Sequence, residues 1–151
     1  PISLPMRFWA GIPPGERRDA VHRHNLRTLM LARDASIDAQ AITLHGANVE
    51  RDRMRRRRLM LTDALLHLLP RIPAPLAGLW GEQDVLYRGR TQIIAPALAL
   101  APGYRGLTLV PDAGHWVQYE AADAVNACLV DWLRAQPAQA AAARADQPPG
   151  A

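Results

Sequence analysis

The sequence predicts an α/β fold with parallel strands, on three observations. Pro75-Leu76-Ala77-Gly78-Leu79-Trp80 is a short apolar run bounded by Pro and Gly, the pattern of a strand buried on both faces. Leu107-Thr108-Leu109-Val110 is a second such run, stopped at Pro111, and a helical stretch from Gln92 to Leu100 separates the two. Beyond them Val125, Cys128, Leu129, Trp132 and Leu133 recur at helical spacing, a broad apolar stripe turned toward a core. Strand, helix, strand, helix at this spacing is a parallel arrangement.

Upstream of Pro73 the pattern changes. Residues 1–15 are rich in Pro and Gly and read as an entry loop, with Met6, Phe8 and Trp9 as apolar anchors. Val21, Leu26, Leu29 and Met30 predict a first helix ending near Arg33-Asp34. Asp34 or Ser36 is the expected cap of a second helix carrying Ile37, Ile42 and Leu44, which the Gly46-Ala47-Asn48 stretch is expected to interrupt. Leu61, Leu65, Leu66 and Leu69 give a short apolar face ending at Pro70. The chain therefore divides into a helical region over 1–70, an α/β unit over 71–135, and a tail over 136–151. Ala, Gln and Pro without periodicity predict disorder in that tail.

Composition removes several function classes. At 151 residues and 49% hydrophobic the chain is long enough for one core. No apolar run approaches the roughly 18 residues a membrane span needs. The single cysteine, Cys128, excludes an internal disulfide framework and fits a reducing cytosol, so a cytoplasmic location is expected. The net charge of +4 comes entirely from Arg, with no Lys. Abundant Ala and Pro make that a compositional bias rather than a functional signal. The one basic cluster, Arg51-Asp52-Arg53-Met54-Arg55-Arg56-Arg57-Arg58, would point four consecutive arginines in four directions on a helix. It also lacks interleaved aromatics for base stacking. A solvated helix surface is the preferred reading, and nucleic acid is not an expected partner.

The chemistry lies at the two strand ends. Asp84, in Gly81-Glu82-Gln83-Asp84, follows the first run, and His115, in Gly114-His115-Trp116, follows the second. In parallel α/β sheets reactive groups gather beyond the carboxyl ends of the strands. If the two strands are neighbours, Asp84 and His115 emerge at one sheet edge. There an ionised carboxylate can hold a histidine in the tautomer of a general base. Taken singly, a Gly-x-x-Asp turn or a Gly-His loop has an ordinary structural explanation. Their order at successive strand ends favours the acid and base of a nucleophilic triad.

With those motifs in place, the sequence resembles the C-terminal half of the α/β-hydrolase family, and most closely its meta-cleavage-product hydrolases, which break carbon–carbon bonds. Trp80-Gly81-Glu82-Gln83-Asp84 is similar to that family's strand-end acid motif, and Gly114-His115-Trp116-Val117-Gln118-Tyr119-Glu120 to its histidine motif. The match covers about residues 72–135. Residues 1–70 resemble, in position and helicity only, the cap that such enzymes insert over the active site. The resemblance implies a Ser–Asp–His chain order with the Ser on a Gly-x-Ser-x-Gly elbow. Ser3 and Ser36, the only serines here, lack those glycines and a preceding strand, and helical spacing puts Cys128 on a buried face where a thiol is inert. The nucleophile is therefore expected upstream of Pro1, in an N-terminal half that this chain lacks.

The resemblance also places Trp116 beside the base as a substrate-binding residue; a core or rim aromatic is the equal alternative. The family's substrate-carboxylate arginine cannot be matched to one residue among Arg51, Arg53 and their neighbours. His22, His24, His45 and His67 show no metal-ligand spacing with carboxylates or thiols and read as structural or surface residues, and the hydrolase resemblance implies neither a metal nor an organic cofactor. The expected partners are a small carbonyl substrate and the missing half, with a homo-oligomer also compatible. A carboxylesterase or lactonase of the same fold, and a non-catalytic Arg-mediated nucleic-acid binder, stand as the alternatives.

Overall fold

The computed structural model describes residues 3–53 and 62–145, with side chains described to residue 135. Helix α1 spans Glu16–Asn25 and runs into a π-helical turn, Leu26–Met30. Buried Asn25 clips the entry loop to it, accepting from the Arg7 N–H at 2.8 Å and donating to the Arg7 carbonyl at 2.9 Å. Of the expected loop anchors only Trp9 packs inward. Its ring lies 6.0 Å from that of His22 and beneath the Arg18 guanidinium, while Met6 and Phe8 are exposed.

Helix α2 spans Ala39–Arg51 without a break, so Gly46 does not interrupt it. Its cap is Asp38, not Asp34 or Ser36. Those two lie in a separate 3-10 turn, and the Asp38 carboxylate accepts the Ala41 N–H at 2.7 Å. An Arg18–Glu50 ion pair ties α1 to α2. Helix α3 is short, Ala64–Leu68, and passes into a 3-10 turn, Leu69–Arg71, that accommodates Pro70. There Leu69 is buried, whereas Leu65 and Leu66 face outward. Leu61 and Arg55 to Arg58 lie outside the described residues, and the expectations about them with it.

Strands β1 (Leu76–Gly81) and β2 (Tyr104–Val110) pair in parallel, as expected of neighbours joined by a helical crossover. Helix α4, Ile94–Leu98, supplies that crossover. The register shifts between Leu76 and Gly78, where β2 carries one extra residue, and Gly106 takes the positive φ of 124° that this bulge uses. The described residues are thus mixed helix and strand around a small parallel sheet, compatible with part of an α/β fold. After β2 come α5 (Val117–Glu120) and α6 (Ala122–Ala145). Helix α6 continues ten residues past Ala135 into the segment whose sequence predicts disorder. Its run of alanines, the strongest helix formers, accounts for the difference despite the missing N–H of Pro137. No described helix is long and apolar enough to cross a membrane.

Burial is divided between two clusters. Leu26, Leu31, Ile37 and Ala41 form one in the helical region, and Val110, Ala113, Val117 and Val125 form the other beside the sheet. The segment after β2 belongs to both. Trp116 and Tyr119 pack on the first cluster while Ala113 and Val117 lie in the second. Alternating sides in this way, the segment wedges the helical region against the α/β unit. The Tyr119 hydroxyl adds a 2.6 Å bond to Asp38, and burial together with that carboxylate pushes its pKa up to about 12, so it remains a donor.

Two histidines are buried beneath this joint. His22 Nδ1 and His45 Nδ1 lie 3.1 Å apart, one necessarily a donor and the other an acceptor, and the His45 ring lies 6.3 Å from Trp116. Burial, and secondarily the neighbouring His22, lowers the His45 pKa from 6.5 to about 4. The unfolded chain therefore takes up this proton first. The contribution to stability is complete above about pH 6.5, is lost as the pH falls toward 4, and amounts to about 3 kcal/mol. Denaturant titrations at pH 7 and pH 4.5 should show a lower midpoint in acid for the wild-type chain. His45→Gln should flatten much of that dependence, and an unchanged slope would dismiss the pair as its source.

Candidate active site

The carboxyl end of β1 turns through Gly81-Glu82-Gln83 into Asp84, and the end of β2 turns through residues 111–114 into His115. Three contacts hold the two turns together. The Glu82 N–H donates to the Val110 carbonyl at 2.9 Å, and the Gln83 N–H donates to the Ala113 carbonyl at 2.9 Å. At Gly81 a Cβ would lie 2.1 Å from the Gly114 carbonyl oxygen and 2.4 Å from that of Ala113. Only a glycine permits so close an approach.

The approach brings the two residues named from the strand ends into contact. His115 Nδ1 lies 2.9 Å from Asp84 Oδ2. Asp84 is 1% exposed, yet its carboxylate is fully partnered: Oδ2 also accepts the Trp80 indole N–H at 2.9 Å, and Oδ1 accepts the Leu86 N–H at 3.0 Å. Burial by itself pushes the Asp84 pKa up. The bonds from His115, the Leu86 amide and Trp80 outweigh it and leave the pKa below the usual carboxylate value. The reciprocal bond raises the His115 pKa above 6.5 against the opposing effect of burial. With Nδ1 committed to Asp84, Nε2 is the nitrogen available for proton transfer. The His115 side chain keeps 36% exposure, so its ring is reachable from outside.

The other sequence candidates are distributed differently. Trp116 is half-buried, with its ring packed on the helical cluster 6.0 Å from Tyr119, and its N–H donates to the Met30 carbonyl at 2.8 Å. A cavity of about 690 Å³ opens elsewhere, behind Trp80, lined by Leu65, Leu69, Tyr87, Ile94 and Leu98 among others; Trp116 and His115 are not part of that lining. Cys128 is half-buried in a smaller groove, of about 290 Å³, between β1 and α6. His24 is half-buried against the Pro5 carbonyl, and His67 is exposed beside Asp63. Among the described residues no three His, Cys, Asp or Glu side chains are grouped to hold a metal ion.

One residue with no assigned role proves central. The Glu120 side chain is fully buried, and its carboxylate accepts three backbone N–H groups: Gly114 at 2.6 Å, Arg33 at 2.6 Å and Ala32 at 3.0 Å. The Arg33 guanidinium also donates to the Glu120 carbonyl. The only sequence trace of this arrangement is the position of Glu120 in the histidine motif.

No family model matches the chain. Over 59 residues it is 37% identical to Epoxide hydrolase B of Mycobacterium tuberculosis, in the H37Rv and CDC 1551 strains alike. That stretch is 39% of this chain and 17% of the relative, so the chain spans only a small part of the enzyme it matches. The likeness supports a hydrolase of the α/β type and does not extend to the meta-cleavage subtype.

Proposed function

We propose that this chain is part of a serine-type α/β-hydrolase acting on a small carbonyl substrate, with His115 as general base and Asp84 as the acid that orients it. The observation that carries this reading is the 2.9 Å contact between Asp84 and His115 beyond the ends of two adjacent parallel strands. In this reading His115 Nε2 takes the proton of a serine hydroxyl supplied from outside the chain as that oxygen attacks the carbonyl carbon. The imidazolium, stabilised by Asp84, returns the proton to the leaving group. His115 then deprotonates the water that releases the acyl group. The bond broken is a carbon–carbon bond or an ester, with a carboxylesterase or lactonase as the nearest alternative. Trp116 is the proposed aromatic neighbour of the substrate.

A second reading of the same site comes from the relative's name. An epoxide would be opened with the same histidine serving as base toward the attacking water. Joined to the segment encoded upstream, the protein should hydrolyse one of three probes: an activated ester, a dienol-derived ketoacid or a styrene-type epoxide. His115→Ala should abolish turnover of whichever it accepts, and a retained rate would sink both readings.

The open surface agrees with a missing half. Among the described residues β1 pairs with β2 alone, and Leu65, Leu68, Ile93, Leu129 and Leu133 are large apolar side chains left exposed. A two-stranded parallel sheet with such faces is not expected to stand alone. Sedimentation of the isolated chain should show self-association, reversed when the upstream half is co-expressed. A monomeric chain that melts cooperatively would contradict this.

A further inference from the structure

We propose that Glu120 is the positioning residue of the histidine loop: it sets His115 against Asp84 and couples that placement to the helical region through Ala32 and Arg33. This rests on His115 being the base, and it adds a residue that touches neither reactant nor base.

His115 lies on a short connection whose two neighbours are both tethered to the same piece of the helical region. On one side the Gly114 N–H donates to Glu120 Oε2 at 2.6 Å. On the other the Trp116 N–H donates to the Met30 carbonyl at 2.8 Å. Glu120 Oε2 also accepts the Ala32 N–H, and Oε1 the Arg33 N–H, so one carboxylate joins the loop after β2 to backbone amides 88 and 87 residues before Glu120 in the chain. The packing is equally tight, since a Cβ at Gly114 would lie 2.8 Å from the Ala32 nitrogen and 2.9 Å from the Met30 oxygen. The loop cannot slide toward the helical region, and Gly81 holds it on the sheet side.

The charge is essential to this clamp. Three N–H donors converge on two oxygens, a set that a carboxylate satisfies and a primary amide cannot, because its NH2 must meet at least one donor head-on. Glu120→Gln keeps the size of the side chain, and the Arg33 guanidinium, 3.6 Å from Oε1, holds the amide oxygen on that side, so the NH2 meets the Gly114 and Ala32 amides and releases them. Once Gly114 is free, the His115 ring loses its fixed distance to Asp84. Glu120→Asp retains the charge but is one methylene short, so it should restore only part of the effect.

The test is a proton and nitrogen NMR titration of the His115 ring in the protein joined to the segment encoded upstream. In Glu120→Gln the His115 pKa should fall from above 6.5 back toward 6.5, and the Nδ1 proton should lose its hydrogen-bonded, downfield position. Asp84→Asn marks the limit with no carboxylate partner. A residue that only added stability would lower the melting temperature and leave the titration of the folded protein unmoved, and that result would overturn the proposal. If Glu120→Gln does not fold, wild-type hydrogen exchange decides. The amides of Gly114, Ala32 and Arg33 should open together, at least about tenfold more slowly than the exposed turn amide of Asp112. Independent exchange of Gly114 would overturn the proposal. These readouts need no turnover. A shifted titration without hydrolase activity would therefore retain Glu120 as the positioning residue and reject the reaction, whereas in an active enzyme the displaced ring should cost about 100-fold in kcat.

Discussion

If the intact protein hydrolyses its substrate as proposed, Asp84→Asn is expected to lower kcat by about 10⁴-fold with little change in KM. The reason lies in how the carboxylate is shared. Oδ1 receives the Leu86 N–H, while Oδ2 receives both the Trp80 indole and His115 Nδ1. An asparagine that keeps its oxygen on the Leu86 amide must turn its NH2 toward His115. Nδ1 then becomes an acceptor, the ring proton moves to Nε2, and the nitrogen that should take the nucleophile's proton is already occupied. Turning the amide the other way sets its NH2 against the Leu86 N–H and removes the charge that stabilises the imidazolium. Steady-state kinetics on the activated ester would measure the loss. A fall of less than about tenfold would mean that Asp84 does not orient the base.

Gly81→Ala is the second large effect, and it acts through the fold. The new Cβ would lie 2.1 Å from the Gly114 oxygen and 2.4 Å from the Ala113 oxygen. Both atoms are backbone, and neither can rotate away. The Ala113 carbonyl is further held by the Gln83 N–H, and the loop that carries it is pinned on its far side by Glu120. Relief therefore requires the two strand ends to separate, at a cost of about 3 kcal/mol or more. The same movement parts Asp84 from His115, so stability and activity should fall together. A denaturant midpoint equal to that of wild type would show that the loops are not packed as described. Gly78→Ala offers a contrast: its closest neighbours are the ends of the Leu98 and Leu107 side chains, which can rotate.

The parts of this architecture that were legible in the sequence are those governed by short-range pattern. Two apolar runs bounded by Pro and Gly are strands in the structure, and the Asp and His just beyond them meet because neighbouring parallel strands deliver their ends to one edge. Cap choice was less legible. Asp34, Ser36 and Asp38 lie within five residues, and the decision falls to Asp38, where the helix direction also brings the Tyr119 hydroxyl. Contacts between distant segments left almost no trace. Two of the three partners of Glu120 are backbone amides 87 and 88 residues away, which carry no residue identity at all. The His22–His45 pair joins two helices 23 residues apart, where spacing along one helix is uninformative. The outward Leu129 and Leu133 of α6 show the opposite failure, because an apolar stripe predicts burial whether or not the element that buries it is present.

If Asp84 tunes His115 as the base of a hydrolytic reaction, the pairing must be visible in the pH dependence of kcat/KM for the intact protein and for its Asp84→Asn variant. In wild type the Asp84 bond holds the His115 pKa above 6.5, so the rate should be low in acid and rise through a limb centred above that value. Without the carboxylate the limb should move down toward 6.5 as the plateau collapses. A limb at the same pH in both proteins would contradict the pairing, whatever the absolute rates.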